Sequence, residues 1–449
     1  MTIPRIMIAA PNSGSGKTTI TCGLLQALKN AGKNPCSFKC GPDYIDPMYH
    51  RQVLGISAGN LDTFFTDKQK TVSIFAEEAE GDIAVIEGVM GLFDGVGGIQ
   101  EMGSSYDVAH AMECPIVLVV DARGAGKSVL AQIKGFLDYD KYNLIKAVIL
   151  NKTSPSFGRI LKPLIEEELG ITCLGVMPND SQILVSSRHL GLVLPEEIPG
   201  LKEQQNKEAE LLAENISMDE LLKIAGDANE LVEKDSHGEI EYNVNTNPIR
   251  LAVARDEAFC FYYRENLRML QKNGVELVEF SPLKDKSLPE NISGLLLGGG
   301  YPENYLEQLS ANTQMKASIK EALEFGIPTL AECGGFMYLL DEIQDKEGVS
   351  FQMVGALKGK AYWTGKLVRF GYVTIDDNSG MEIKGHEFHY YDTDNNGEDC
   401  VATKPTGSRS WACIHHKNGS YMGFAHLYYP SNPKFVSNFV EAMKNYGRN

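Results

Sequence analysis

Short apolar runs alternate with helix-length segments through the first part of the chain. Between Arg5 and Pro178 these runs read RIMIAA, DIAVIEGV, PIVLVVDA, IKAVILNK and TCLGVMP. Near-continuous apolar strands separated by helices are typical of a parallel sheet that helices cover on both faces. The pattern therefore predicts a doubly wound α/β domain over residues 1–195.

The pattern changes between residues 196 and 247. This stretch is rich in Glu, Lys and Asn and has amphipathic helical periodicity but no strong strand, a composition typical of a solvated connector. Alternation then resumes with PIRLAVARD, VELVEF, GLLLGGG, IPTLAECG and SYMGFAHLYY. We expect an acidic helical linker at 196–247 and a second α/β domain at 248–449.

Composition narrows the class of protein. A chain of 449 residues is too long to fold around one ordinary hydrophobic core, so more than one domain is expected. Its formal charge of -17 argues against a partner that is a nucleic acid or an anionic membrane, because both need a basic face. No apolar stretch approaches the ~18 residues of a membrane span. The composition favours a cytoplasmic enzyme of small metabolites, and the sequence is silent on its oligomeric state.

A phosphate-binding loop follows the first predicted strand. In APNSGSGKTT, backbone N–H groups can cradle phosphates, Lys17 can reach the β- and γ-phosphates, and the Thr18 hydroxyl can bind Mg²⁺. Pro11 replaces the first glycine of the usual pattern, and Asn12 stands where dimeric partitioning ATPases have a lysine. We predict that the loop binds ATP through Ser13, Gly14, Ser15, Gly16, Lys17, Thr18 and Thr19.

Carboxylates for a magnesium nucleotide follow at predicted strand ends. GPDYIDP supplies Asp43 and Asp46, and DIAVIEGVMGLFDG supplies Glu87 and then Asp94. Thr18, Asp46 and Glu87 are candidate metal ligands, and Glu87, Asp43 and Asp94 are candidate catalytic groups. Which aspartate contacts metal stays open, since helix capping and turn formation are the alternative roles.

The stretch TLAECGGFMYLL has the form of a nucleophile elbow around Cys333. Small neighbours permit a tight turn, and helix-end N–H groups with a histidine are expected to depress the pKa of the thiol. The preceding LLLGGGYPE places glycines at a strand end, where bare amides suit an oxyanion hole. We predict that Gly299, Gly300 and Gly334 form it.

The base for Cys333 must be a histidine. We favour His426, because YMGFAHLYY is typical of a late strand that ends in a polar residue. The other candidates are His386, His389, His415 and His416.

These motifs together resemble the cobyrinate a,c-diamide synthase family. The blocks that carry the resemblance are APNSGSGKTT, KCGPDYID, EGVMGLFDG, RHLGLV, AFCFYYRENL, GGGYPE and GHEFHY, in order from residue 9 to residue 390. The resemblance implies ATP- and Mg²⁺-dependent amidation of carboxylates on a corrin-type macrocycle, with ammonia from a class I glutaminase domain of flavodoxin-like fold.

The resemblance also implies residue roles. Cys333 is the glutaminase nucleophile and His426 raises its nucleophilicity. The first domain resembles dethiobiotin synthetase, which implies that Asn151 and Pro178 lie beside the purine. Many class I glutaminases have an acid two residues after the histidine, whereas this chain has Tyr428, so either a dyad suffices or the acid comes from elsewhere.

A substrate with many carboxylates needs local positive charge. Lys39, Arg51 and Arg188 lie in or beside the shared motifs, and we take Tyr44, Lys39 and Arg188 as candidate substrate contacts. The alternative substrates are hydrogenobyrinate and nickel sirohydrochlorin. The alternative of another class is a nucleotide-switched binding protein with a vestigial glutaminase domain.

Overall fold

The computed structural model describes residues 3–179, 200–231 and 249–446. The chain divides into two compact units, Met1–His237 and Gly238–Asn449, each with its own core. Both units are α/β, as the sequence predicts.

The first unit is built on a parallel sheet whose described strands have the order β3-β2-β4-β1-β5-β6-β7. The strands are β1 (Arg5–Ala9), β2 (Pro35–Cys40), β3 (Ala58–Leu61), β4 (Ile83–Glu87), β5 (Ile116–Asp121), β6 (Ile145–Asn151) and β7 (Thr172–Met177). The helices are α1 (Lys17–Asn30), α2 (Ile45–Gln52), α3 (Lys68–Glu78), α4 (Ser105–Ala111), α5 (Ser128–Tyr139), α6 (Pro155–Leu169), α7 (Leu201–Asn215) and α8 (Met218–Gly226). Every residue of β1 and β4 is buried, because helices cover both faces of the sheet.

Helices α7 and α8 lie in the range that the sequence predicts as a linker. Their apolar residues Leu201, Ala209, Leu212 and Leu221 belong to the same buried cluster as Leu24 of α1. These helices are therefore part of the first unit's packing.

The second unit has two main sheets in its described residues. One has the order β10-β8-β11-β13-β21-β20. The other has the order β15-β14-β16-β17-β22, and in it β18 pairs with β16 and β19 pairs with β18. The strands are β8 (Ile249–Ala254), β9 (Phe259–Phe261), β10 (Val275–Phe280), β11 (Gly294–Leu297), β12 (Gly299–Gly300), β13 (Thr329–Glu332), β14 (Glu342–Gln344), β15 (Ser350–Gln352), β16 (Lys360–Asp376), β17 (Glu382–Thr393), β18 (Cys400–Thr403), β19 (Ser410–Cys413), β20 (His415–Lys417), β21 (Ser420–Gly423) and β22 (His426–Leu427). The helices are α9 (Arg264–Lys272), α10 (Leu306–Ala311), α11 (Thr313–Glu324), α12 (Gly334–Leu339) and α13 (Pro433–Tyr446).

The register of the second unit sets the position of its cysteine. Strand β13 pairs in parallel with β11 and β21, so Glu332 lies opposite Gly423, and the Cys333 N–H donates to the Gly423 carbonyl at 2.8 Å. Strand β22 pairs antiparallel with β17, where His426 lies opposite His386. The turn after β13 is thus surrounded by the ends of neighbouring strands.

Candidate active sites

The loop between β1 and α1 has the conformation that phosphate binding requires. Gly16 has a φ of 96° and precedes the first turn of α1. A Cβ at Gly16 would lie 2.2 Å from the Asn151 Nδ2, which donates to the Ser15 carbonyl at 2.8 Å. The Ser15 hydroxyl donates in turn to the Asn12 Oδ1 at 2.6 Å. Asn151 at the end of β6 therefore holds the loop from behind, and only glycine fits at position 16.

Lys17 lies along the loop. Its Nζ donates to the Met90 carbonyl at 2.5 Å and to the Asn12 carbonyl at 3.2 Å. Burial, followed by the nearby charge of Lys39, lowers the pKa of Lys17 to about 8. Backbone carbonyls thus bind the ammonium at the place where phosphate oxygens are expected.

A buried cluster of charged groups lies next to the loop. The Thr18 hydroxyl donates to Glu87 Oε1 at 2.6 Å, and the Lys39 Nζ lies 2.8 Å from the same oxygen and 2.5 Å from Asp46 Oδ2. Strand β2 delivers Lys39 and strand β4 delivers Glu87, because these strands are neighbours in register. The structure thus brings together all three predicted metal ligands, with a lysine between the two carboxylates.

The protonation of this cluster follows from burial and from Lys39. Burial raises the pKa of Glu87 to about 7, against the effect of Lys39. Burial also acts to raise the pKa of Asp46, but the Lys39 ammonium holds it below its usual range. Burial alone would lower the pKa of Lys39, yet Asp46 and Glu87 raise it well above its usual value. The lysine and Asp46 are therefore ionised at neutral pH.

Sequence reasoning missed a second layer behind Glu87. The His50 Nε2 lies 4.0 Å from Glu87 Oε2 and 3.6 Å from the Cys22 Sγ, while its Nδ1 contacts the Ser37 hydroxyl at 3.0 Å. Burial lowers the pKa of His50 to about 4, so its imidazole is neutral. His50 belongs to no recognisable motif, and its role becomes visible only from these contacts.

The remaining predicted residues of the first site have different positions. Asp43 lines the cavity, and its Oδ1 accepts from the Ile45 N–H at 2.8 Å at the start of α2. Burial, with Asp46 nearby, raises the pKa of Asp43 to about 6. Asp94 Oδ2 accepts from the Gly91 N–H at 3.0 Å within its own turn. Tyr44 is buried and does not line the cavity.

Of the predicted basic residues, Lys39 is buried between two carboxylates and Arg51 donates to the Ala58 carbonyl at 2.8 Å. Arg188 lies outside the described residues. Lys39 and Arg51 are thus both bound to groups of the protein itself.

Residues of the loop, Thr19, Lys39 and Asp46 border a cavity of about 470 Å³, whereas Glu87 is fully buried. The lining of the cavity also includes Asn151, Lys152, Met177, Pro178 and Asn179. The Lys152 Nζ donates to the Gly14 carbonyl at 2.5 Å and pairs with Asp121 at 3.1 Å. Asn151 and Pro178 therefore line the same cavity as the phosphate-binding loop, and their contact with a purine stays a prediction.

The residues beside the loop suit a magnesium ion. Their donors are hard oxygens, and the buried Oε2 of Glu87 has no hydrogen-bond partner among the described residues. No group of three His, Cys, Asp or Glu side chains in the described ranges is arranged to hold a metal ion by itself. Such a partial set fits Mg²⁺, which keeps waters and takes phosphate oxygens as further ligands.

In the second unit, Cys333 occupies a strained turn between β13 and α12. Its φ of 48° and ψ of −106° are unusual for a residue with a side chain. A Cβ at Gly335 would lie 2.1 Å from the Leu297 carbonyl oxygen, so this position requires glycine. The strand, the strained residue and the following helix form the nucleophile elbow that the sequence predicts.

The predicted oxyanion glycines surround the elbow. A Cβ at Gly334 would lie 3.3 Å from the Gly300 backbone nitrogen, and a Cβ at Gly299 would lie 2.4 Å from the His426 Cε1. Gly300 has a φ of 156°. Gly300 and Gly334 thus place backbone groups side by side, and Gly299 allows the histidine ring to approach.

Among the histidine candidates, His426 is the one whose ring approaches Gly299. His386 stacks on its ring with centroids 4.9 Å apart at 18°. His389 instead contacts Glu387 at 2.8 Å, whereas His415 and His416 lie on strand β20.

Burial, followed by the charges of Glu303 and Glu387, raises the pKa of the Cys333 thiol. The expectation of a depressed pKa is therefore wrong, because a short helix end cannot offset complete burial. Burial also lowers the pKa of His426 to about 3. At rest the pair is a neutral thiol and a neutral imidazole.

Glu332, next to the nucleophile, was missed by sequence reasoning. Its Oε2 lies 3.8 Å from the His426 Nδ1, and its Oε1 accepts from the Tyr429 hydroxyl at 3.3 Å. Burial raises the pKa of Glu332 to about 8. The signal in the sequence was an acidic residue at the end of an apolar strand.

Two family models match the chain. Residues 6–192 match the CobQ/CobB/MinD/ParA nucleotide binding domain, and residues 250–427 match the CobB/CobQ-like glutamine amidotransferase domain. Across the part of the chain that the structure describes, no helix has the length and apolarity to cross a membrane.

Full-length relatives agree with these matches. The cobyrinate a,c-diamide synthase of Clostridium acetobutylicum is 40% identical and covers 97% of this chain and 99% of its own. The protein of that name from Caldanaerobacter subterraneus subsp. tengcongensis is 38% identical, with 98% and 99% covered. The one from Listeria innocua is 36% identical, with 98% and 99% covered. The chain therefore belongs to the cobyrinate a,c-diamide synthase family.

Proposed function

We propose that this chain amidates the a and c carboxylates of cobyrinate, with ATP and glutamine as co-substrates, to give cobyrinate a,c-diamide for cobalamin biosynthesis. The observation that carries the proposal is identity of 36% to 40% with cobyrinate a,c-diamide synthases over almost the whole chain. The presence of a phosphate-binding loop and a cysteine elbow in one chain supports the same reaction.

The chemistry explains why two sites are needed. A carboxylate is a poor electrophile, because its charge repels nucleophiles and oxide is a poor leaving group. Transfer of the γ-phosphoryl group from ATP converts the carboxylate into an acyl phosphate and releases ADP. Ammonia then forms the C–N bond as the C–O bond to phosphate breaks. The glutaminase site supplies that ammonia unprotonated.

In the first unit, we assign phosphate binding to the backbone of Ser13–Thr19 and to Lys17, whose ammonium exchanges backbone carbonyls for phosphate oxygens. Mg²⁺ would be held by Thr18, Glu87 and Asp46, and when bound it neutralises phosphate charge. Lys39 keeps Asp46 ionised within the buried cluster. We assign Lys39 to this cluster and leave contact with the substrate carboxylates to Arg188 and Tyr44 as the remaining candidates.

In the second unit, we assign glutamine hydrolysis to Cys333 and His426. The thiol proton moves to His426 as sulfur bonds to the amide carbon, and the Gly300 and Gly334 N–H groups stabilise the oxyanion. Collapse of the adduct breaks the C–N bond, and the proton leaves with the nitrogen as ammonia. Water then hydrolyses the thioester to glutamate. Because both partners are neutral at rest, proton transfer accompanies the attack of sulfur on glutamine.

The test incubates purified protein with ATP, Mg²⁺ and glutamine, and with cobyrinate, hydrogenobyrinate or nickel sirohydrochlorin in parallel. Mass spectrometry counts each replacement of a carboxyl OH by NH₂. The proposal expects two replacements on cobyrinate and formation of ADP. Faster amidation of another macrocycle would identify that macrocycle as the substrate in place of cobyrinate. Hydrolysis of ATP without amidation of any macrocycle would favour a nucleotide-switched binding protein.

A further inference from the structure

The base at the glutaminase site needs a fixed tautomer. His426 can take a proton from Cys333 only if the ring nitrogen that faces the thiol is unprotonated and the other nitrogen carries the hydrogen. Class I glutaminases commonly use an acid two residues after the histidine for this purpose, but Tyr428 stands there. Its ring packs edge-on against Tyr263, with centroids 5.2 Å apart.

Glu332 lies where such an acid is required. The β13–β21 register brings the end of β13 beside the segment that leads to His426. Oε2 of Glu332 is 3.8 Å from the His426 Nδ1. A movement of about 1 Å would make a hydrogen bond, and catalytic hydrogen bonds often tighten only when substrate binds.

The carboxyl group is held in place by other contacts. Its Oε1 accepts from the Tyr429 hydroxyl at 3.3 Å, and the Leu427 backbone also hydrogen-bonds it. Glu332 is only 5% exposed, so water does not compete freely for its oxygens. These contacts fix the carboxyl on the Nδ1 side of the ring.

Glu387, another acid near this site, is already engaged. Oε2 of Glu387 lies 2.8 Å from the His389 Nε2 and 3.0 Å from the Arg369 Nε. His386 stacks on the face of the His426 ring and so fixes the plane of the ring. The Glu332 carboxyl group lies 3.8 Å from Nδ1 at the edge of that ring.

We propose that Glu332 is the positioning residue of the glutaminase: an oxygen of its carboxyl group accepts the Nδ1–H of His426 and leaves Nε2 available to take the Cys333 proton. The imidazolium that forms keeps this hydrogen bond to the carboxyl group until the proton passes to the departing nitrogen. The inference rests on the proposed glutaminase function of Cys333 and His426.

The test measures glutamate release by Glu332→Gln over a range of glutamine concentrations. The amide is nearly isosteric, but it can donate to Nδ1 and so select the wrong tautomer. We expect kcat to fall by about 10²-fold with KM within about twofold, and Glu332→Asp to recover part of the loss. A merely structural role would instead change KM or give Glu332→Asp no advantage over Glu332→Gln.

Tyr428→Phe is the matched control, because it removes a polar group at the usual position of the acid. Its kcat should stay near that of the unsubstituted protein. An unchanged kcat for Glu332→Gln, or an equal loss in Tyr428→Phe, overturns the inference. If Glu332→Gln does not fold, Tyr429→Phe decides: a kcat about tenfold lower at unchanged KM supports the inference, and an unchanged kcat overturns it.

Glutamate release is followed with and without cobyrinate. If the unsubstituted protein releases glutamate but amidates no macrocycle, the proposed substrate fails while the role of Glu332 is still tested. If it amidates cobyrinate with glutamine while Glu332→Gln does so at the same kcat, the positioning role fails and the proposed function stands.

Discussion

Glu208 on helix α7 is a buried acid whose replacement should stabilise the first unit. Its Cγ lies 3.1 Å from the place that a Cβ on Gly23 of α1 would occupy. Burial raises the pKa of Glu208 to about 9, and the side chain of Gln205 acts in the opposite direction. The carboxyl group is therefore protonated in the folded protein at neutral pH and ionised in the unfolded chain.

The free energy follows from this difference in proton binding. Each pKa unit corresponds to ~1.4 kcal/mol, so holding the proton at pH 7 against an ordinary pKa near 4.5 costs about 3 kcal/mol of stability. Because the folded pKa is raised, the full stability is present below pH ~4.5 and is lost as pH rises towards ~9. Glu208→Gln carries no such proton and should be more stable by about 1 to 3 kcal/mol at pH 7, and equal to the unsubstituted protein at pH ~4.5.

Hydrogen exchange in increasing urea measures the free energy of unfolding of the first unit separately, when it is followed in peptides from α1 and α7. The separation matters because both tryptophans, Trp363 and Trp411, lie in the second unit. Glu210→Gln on the same helix is the matched control, since Glu210 is exposed and should show no pH-dependent gain. Parallel pH dependence of Glu208→Gln and the unsubstituted protein, or destabilisation by Glu208→Gln at pH 7, would show that Glu208 does not hold a proton at a cost to stability.

Four further outcomes follow from the two sites. Cys333→Ala should lose glutamine-dependent amidation but keep amidation with ammonium salts, and loss of both would contradict separate sites. Glu87→Gln should lower amidation about 10²-fold with either nitrogen source, as product analysis would show, while glutamate release persists. Lys39→Met leaves Asp46 and Glu87 without their cation and should lower the free energy of unfolding of the first unit by about 3 to 5 kcal/mol, as measured by urea-dependent hydrogen exchange. A change below about 1 kcal/mol would mean that water already screens the charges of the cluster. Chelation by EDTA should stop amidation and spare glutamate release, and equal loss of both activities would count against a metal role confined to the first site.

The strands that could be predicted are those with continuous apolar sequence. Strands β1, β4, β5, β6 and β7 match the five runs of the first part of the chain, because a doubly covered parallel sheet requires apolar residues on both faces. The phosphate loop and the cysteine elbow were also predictable, since each depends on glycines at fixed offsets from one reactive side chain.

Contacts between distant segments were not predictable in the same way. The 4.0 Å approach of His50 to Glu87 and the 3.8 Å approach of Glu332 to His426 depend on strand register and on rotamers. The direction of the Cys333 pKa shift was also missed, because burial outweighs the helix end and burial is a property of the whole unit.

Two strands that the sequence did not indicate carry buried polar or charged side chains. Strand β2 reads PCSFKC, and its buried Lys39 and Ser37 contact Glu87 and His50. Strand β17 buries Glu387 between His389 and Arg369. A polar or charged side chain is tolerated inside a sheet only when partners satisfy it, and those partners come from other elements. Polar residues in these strands interrupt the apolar pattern by which a strand is found, so strands of this kind are missed, whereas the apolar strands that carry Glu87 and Glu332 are found.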